Sequence, residues 1–135
     1  MELEVGMYVR TKNDKAVGNG IIGKIKYINE REFKGKFKKY YSVWTNNKEW
    51  FEILENDAIS ERVKASHNII DLIEVGDYVN GIKIDRVDKP CKLNPYGSLK
   101  YHQNEYCDYE NILGSEIKTI VTKEQFESMS YKVGE

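Results

Sequence analysis

Four side chains carry the atoms of a metal site or a nucleophilic pair: His67, His102, Cys91 and Cys107. No Cys-x-x-Cys pair sets two ligands in advance, so a zinc site would require four scattered residues to converge. The other reading is surface imidazoles and ordinary free thiols. A Cys–His pair drawn from the same residues brings no orienting carboxylate and no oxyanion loop. Phosphate loops, dinucleotide fingerprints, Gly-x-Ser-x-Gly elbows and His-Glu-x-x-His motifs do not occur in the chain. These residues therefore predict no enzyme, no cofactor and no metal needed for folding.

The charges are more suggestive than the potential ligands. Between Lys24 and Lys39 stand Lys24, Lys26, Arg31, Lys34, Lys36, Lys38 and Lys39 against only Glu30 and Glu32. Phe33, Phe37, Tyr40, Tyr41 and Trp44 are interleaved with or follow them, so Lys34, Lys36, Lys38, Lys39, Tyr41 and Trp44 form a candidate nucleic-acid face of phosphate-binding cations and stacking rings. Lys34, Lys36 and Lys38 lie two apart, which a strand would display on one side. The competing reading is a solvated edge whose lysines discourage aggregation. Between Tyr101 and Glu116 the balance reverses, with Glu105, Asp108, Glu110 and Glu116 and no Lys or Arg. Tyr101, Glu105, Tyr106, Asp108, Tyr109 and Glu110 form a candidate protein-binding face: tyrosines supply contact area and carboxylates meet a basic partner. Alternatively, these tyrosines point inward and the acids balance the basic strand of the same molecule.

The elements that must carry these stretches are strands. Val5-Gly6-Met7-Tyr8-Val9 and Val75-Gly76-Asp77-Tyr78-Val79 share the pattern Val-Gly-x-Tyr-Val, with Gly at a bend and Tyr and Val alternating across a strand. Asn80-Gly81, flanked by apolar alternation, predicts a two-residue hairpin. Phe37 to Thr45 and Glu49 to Leu54 read as two aromatic strands joined at Asn46-Asn47. Asn68 is placed to cap one helical turn, and Pro90 to Gly97 reads as a surface loop. Near the end, Ile117 to Val121 reads as a strand and Thr122-x-x-Gln125 as a capping box. Phe126 and Met129 then share one face of a short helix, and Tyr131 to Val133 returns as an edge strand. The expectation is a mainly β fold: an SH3-like meander or small barrel, with one short C-terminal helix. It is either one domain over 1–135 or two related copies, 1–62 and 63–135.

Composition sets the bounds. A chain of 135 residues has room for one ordinary domain or two very small ones. Lys+Arg of 21 against Asp+Glu of 22 gives a net charge of -1, which excludes an obligate nucleic-acid coat and confines any such role to a local patch. Two cysteines are too few for a disulfide scaffold. The acidic start, Met1-Glu2-Leu3-Glu4, lacks a signal peptide's positive region, and no apolar run approaches the roughly 18 residues of a membrane span. The expected compartment is the cytoplasm.

Ala65 to Gly81 (Ala-Ser-His-Asn-Ile-Ile-Asp-Leu-Ile-Glu-Val-Gly-Asp-Tyr-Val-Asn-Gly) and Ile117 to Ser128 (Ile-Lys-Thr-Ile-Val-Thr-Lys-Glu-Gln-Phe-Glu-Ser) resemble small phage- and prophage-type proteins of Gram-positive bacteria, to which no catalytic role is attached. Val5 to Lys12 is similar too. The resemblance covers a quarter to a third of the chain and implies a shared β scaffold with changeable inserts, Asn29 to Glu61 and Asp88 to Gly114, in a mobile-element setting. It implies a non-enzymatic phage protein that inhibits a host defence system, such as a CRISPR effector, by occupying a functional surface. The partner would be a host protein or ribonucleoprotein, with homo-oligomers also open. The alternatives are a nucleic-acid-binding SH3-like module, and a sponge for a nucleotide signal in a Lys- and Tyr-lined pocket between subunits.

Overall fold

Each copy of the Val-Gly-x-Tyr-Val repeat opens on the same turn. The computed structural model describes residues 2–12, 18–46, 48–55, 59–102 and 109–129. Within it Gly6 and Gly76 have φ of +93° and +98°, which the third position of a type II turn demands and a side chain resists. The turns close alike, Met7 N to Glu4 O at 3.2 Å and Asp77 N to Glu74 O at 3.0 Å. The bonds to the following strand also correspond. Gly6 N donates to Ile25 O and Ile25 N to Met7 O, both at 2.9 Å; Gly76 N donates to Ile84 O at 2.9 Å and Ile84 N to Asp77 O at 2.8 Å. The repeat even extends backwards, because buried Leu3 and Ile73 precede Glu4 and Glu74 in the same places.

The first copy enters β1 (Tyr8–Thr11), then β2 (Ile22–Phe33), β3 (Lys36–Thr45), β4 (Trp50–Leu54), the short helix α1 (Ile59–Arg62) and β5 (Val63–Ser66). They form one antiparallel sheet in the order β4-β3-β2-β1-β5, so the winding runs through Ser66 and its last strand pairs with its first. A 3-10 turn (Ile69–Leu72) follows, capped by Asn68, whose Oδ1 accepts from Ile70 N at 3.0 Å. The second copy comprises β6 (Tyr78–Val79), β7 (Ile82–Lys83), β8 (Arg86–Asp88), β9 (Ser98–His102), β10 (Tyr109–Ile112), a 3-10 turn (Gly114–Glu116) and β11 (Ile120–Val121), before helix α2 (Lys123–Met129). Its antiparallel sheets are β11-β6-β7 and β10-β9-β8. Ile84 bonds to the β6 side while Asp85 N donates to Lys100 O at 2.9 Å, so adjacent residues pass the chain from one sheet to the other. Across that handover the strand order repeats that of the first copy.

Local expectations translate into geometry where short-range chemistry governs. Asn80 and Gly81 have φ of +54° and +80°, the pair that a type I′ hairpin requires. The Thr122 capping box forms, with Thr122 N to Gln125 Oε1 at 3.0 Å and Gln125 N to Thr122 Oγ1 at 3.3 Å. The β3–β4 hairpin forms too, but of the expected Asn46-Asn47 pair Asn46 has no positive φ and Asn47 lies outside the described residues; the left-handed conformation described in this turn is that of Lys48, at φ +59°. Two details differ. Lys34 is not a strand residue: with Gly35 it makes the β2–β3 turn, at φ +50° and +78°, so it does not share a strand face with Lys36 and Lys38. The terminal strand is also shorter than Ile117 to Val121, because only Ile120 and Val121 pair with β6. Tyr131 to Val133 lie outside the described residues.

Each copy has its own core. Leu3, Met7, Val9, Ile25, Tyr41, Val43, Ile53 and Val63 fill the first. Ile22, Ile70, Leu72, Ile73, Val79, Ile84, Leu99, Ile112 and Ile120 fill the second. Ile22 comes from β2, so the first sheet lends one residue to the second core. Beside it on the same face stands Arg10, 2% exposed, which pairs with fully buried Asp77. Arg10 also donates to Leu72 O and to Glu124 Oε2, each at 2.8 Å. Asp77 additionally accepts from Glu74 N at 2.7 Å and Lys123 N at 2.9 Å. Burial alone would favour the neutral guanidine, but the Asp77 bond and the charges of Asp77, Glu74 and Glu124 outweigh it and raise the Arg10 pKa. A second tie is Asn46, which donates to Ile120 O and Gln125 Oε1, each at 2.6 Å.

Candidate ligand-binding face

β3 is regular, so Tyr41, Val43 and Thr45 point into the first core while Lys36, Lys38, Tyr40, Ser42 and Trp44 share the outer face. Cross-strand partners extend that face: Lys24 opposite Trp44, Trp44 opposite Trp50, and Arg31 opposite Lys38. Strict alternation from Lys24 would turn Tyr27 inward, but the register shifts between Ile25 and Tyr27, and a bulge re-aims the side chains that follow it. Tyr27 is consequently 59% exposed beside Trp50 at 52% and Trp44 at 37%.

These three rings form a continuous surface. Tyr27 and Trp50 stack with centroids 5.7 Å apart and planes at 30°, and Trp50 meets Trp44 at 5.0 Å. Such contacts hold the ladder together and leave ring faces open to a planar ligand. The Arg31 guanidinium lies 3.8 Å from the Tyr40 ring centroid and pairs with Glu52 at 3.2 Å. Its pKa is raised, first through the Tyr40 contact and then, against desolvation, through Glu52. Lys24 Nζ stands 5.5 Å from the Tyr8 ring centroid. Cations and aromatic rings therefore alternate along one sheet face.

Of the residues expected to touch nucleic acid, Lys36, Lys38 and Trp44 lie on this face. Lys34 lies in the turn, and Lys39 points to the opposite side, 3.9 Å from Glu2. Tyr41 requires a correction: it is 3% exposed and belongs to the first core, because its odd position puts it on the inward side of β3. Burial, together with Glu55 and Glu2, also pushes its phenol pKa up. Tyr27, Trp50 and Arg31 complete the face, and the bulge that exposes Tyr27 has no plain sequence signal.

Within the acidic stretch, Glu105, Tyr106 and Asp108 lie outside the described residues. Tyr101 is partly buried against the second core, and Glu110, its cross-strand partner, is exposed. Tyr109 opens β10 opposite His102. Among the described residues no group of three His, Cys, Asp or Glu is placed to hold a metal. His67 sits 3.1 Å from Glu4, His102 sits 3.1 Å from Asp85, and Cys91 is exposed. Cys107 is outside the described residues. No described helix is long and apolar enough to cross a membrane. No protein-family model, curated protein or solved structure matches the chain.

Proposed function

We propose that this protein is a non-enzymatic binding module, built from two SH3-like windings, whose first sheet takes single-stranded nucleic acid on its outer face. The observation that carries the reading is the exposed Tyr27–Trp50–Trp44 ladder on the same face as Lys24, Arg31, Lys36 and Lys38. Bases of an unpaired strand present ring faces to aromatics while the phosphates meet the cations. A duplex hides its ring faces, so the ladder favours a single strand. The phage setting implied by the resemblance gives this binding a use: a host defence ribonucleoprotein exposes single-stranded nucleic acid that such a protein would contest. Inhibition through the acidic stretch is the second reading, and exposed Glu110 is the described residue that favours it.

Fluorescence anisotropy with labelled single-stranded and duplex oligonucleotides tests the first reading. The wild type is expected to bind single strands with an affinity that falls as salt rises. Trp50→Ala and Tyr27→Ala should each weaken binding by about fivefold or more, and Lys36→Glu with Lys38→Glu should flatten the salt slope. Absence of single-strand binding at 50 mM salt, or equal binding by all variants, refutes it.

A further inference from the structure

The two windings meet along β1, and their junction is a groove rather than a sealed seam. Two adjoining clefts of about 680 and 380 Å³ share Tyr8, Ile69 and Gly114 in their walls. Volumes of this order suit small organic ligands. The clefts differ in chemistry. The larger is walled by Tyr8, Tyr96, Leu113, Asn94 and Ser115, and includes His67, 3.1 Å from Glu4. The smaller contains Trp44 and three lysines, Lys24, Lys48 and Lys118. Among the described lining residues of both clefts there is no Asp or Glu, although acids outnumber bases in the chain, 22 to 21. Three lysines lining one cleft whose described wall holds no carboxylate favour an anion.

Tyr96 is 78% exposed at the mouth of the larger cleft, and its position is fixed from below. Asn68 uses both ends of its amide, accepting from Ile70 N and donating to Tyr96 O, each at 3.0 Å. Asn68 is therefore a positioning residue that ties the loop bearing Tyr96 to the cap of the 3-10 turn. Asn94 and Ser115 also line this cleft. Lys24, beside the Tyr8 ring, marks the passage from the larger cleft to the lysine-lined one.

We infer that the groove between the windings is a nucleotide site, with a base toward Tyr8 and Tyr96 and its phosphate toward Lys24, Lys48 and Lys118. A ligand with one flat, hydrogen-bonding end and one anionic end matches both clefts at once. The same chemistry arrives either as a free mononucleotide or as the phosphorylated end of a strand; the groove shares Lys24 and Trp44 with the sheet face, while Tyr96, Lys48 and Lys118 belong to the groove.

Isothermal titration with AMP, GMP, CMP and UMP, the corresponding nucleosides and inorganic phosphate, together with anisotropy on 5′- and 3′-phosphorylated single strands, tests this. At least one mononucleotide or phosphorylated end is expected to bind better than its unphosphorylated counterpart and better than phosphate. Tyr96→Ala and Lys118→Gln should each weaken it by about fivefold or more, while Lys83→Gln, at an exposed lysine on β7 that lines neither cleft, leaves mononucleotide binding unchanged. Binding of mononucleotides identifies the free ligand as the source; binding of phosphorylated ends alone identifies the strand. If phosphate competes as well as any nucleotide, or if binding survives Tyr96→Ala and Lys118→Gln, the inference is overturned. It is also overturned if neither mononucleotides nor strand ends bind in the groove. Loss of strand binding in Tyr27→Ala, whose ring stacks on Trp50 and lines neither cleft, is read separately and bears on the sheet face.

Discussion

Replacing Asp77 by Ala should be among the most damaging single changes to this fold. Asp77 is fully buried and accepts from both terminal nitrogens of Arg10, from Glu74 N in the turn of the second repeat and from Lys123 N at the start of α2. Its removal takes the one fully buried carboxylate from a guanidinium that is 2% exposed, leaving it Leu72 O and the part-exposed Glu124 and Glu74, and strands two backbone donors. Breaking a buried charge pair from one side costs about 3–5 kcal/mol. At roughly 3–5 °C per kcal/mol for a chain of this size, the midpoint should fall by about 10–25 °C. Replacing both partners, Arg10→Met with Asp77→Ala, removes the buried cation as well and should recover part of the loss, with a coupling of about 2 kcal/mol or more against the two single variants. Urea denaturation followed by far-UV circular dichroism measures all four corners of the cycle. A loss below about 1 kcal/mol for Asp77→Ala, or strict additivity in the double variant, would show that the pair does not hold the windings together.

Tyr41→Ala should cost about 3–5 kcal/mol as a core deletion, whereas Trp50→Ala, at an exposed cross-strand position, should cost about 1 kcal/mol or less; paired chemical denaturation curves compare them. At Gly23 an added Cβ would lie 2.6 Å from both Trp44 O and Val43 Cγ1, so Gly23→Ala should destabilise by roughly 1–3 kcal/mol and displace the Trp44 strand, visible in tryptophan fluorescence. Burial pushes the Glu74 and Asp88 carboxyls up, but Lys123 and Arg10 on Glu74, and Lys100 and Arg86 on Asp88, outweigh it; the His102 N–H bond lowers Asp85. All three folded-state pKa values are depressed, so their contribution is present above the unfolded values and lost as pH falls; stability should decline below about pH 4 and stay flat across this carboxylate range at higher pH. Thermal melts from pH 3 to 6 check the sign.

What the sequence determined by itself was local. Val-Gly in each repeat encodes a turn because only glycine takes its φ without strain; Asn80-Gly81 encodes a hairpin for the same reason, and Asn68 and Thr122 encode caps because their side-chain oxygens reach a nearby N–H. Each depends on residues within a few positions of one another. Only the tertiary structure decided which face of β1 and β2 remained in water. Tyr8, Arg10, Ile22 and Lys24 belong to one face by strand alternation and register, yet docking of the second winding buries Arg10 and Ile22 while Lys24 and Trp44 border an open groove. Tyr41, expected on the nucleic-acid face, entered the core for a similar reason. A bulge turned Tyr27 outward and the parity of β3 turned Tyr41 inward, and register is a property of paired strands that neither strand specifies alone.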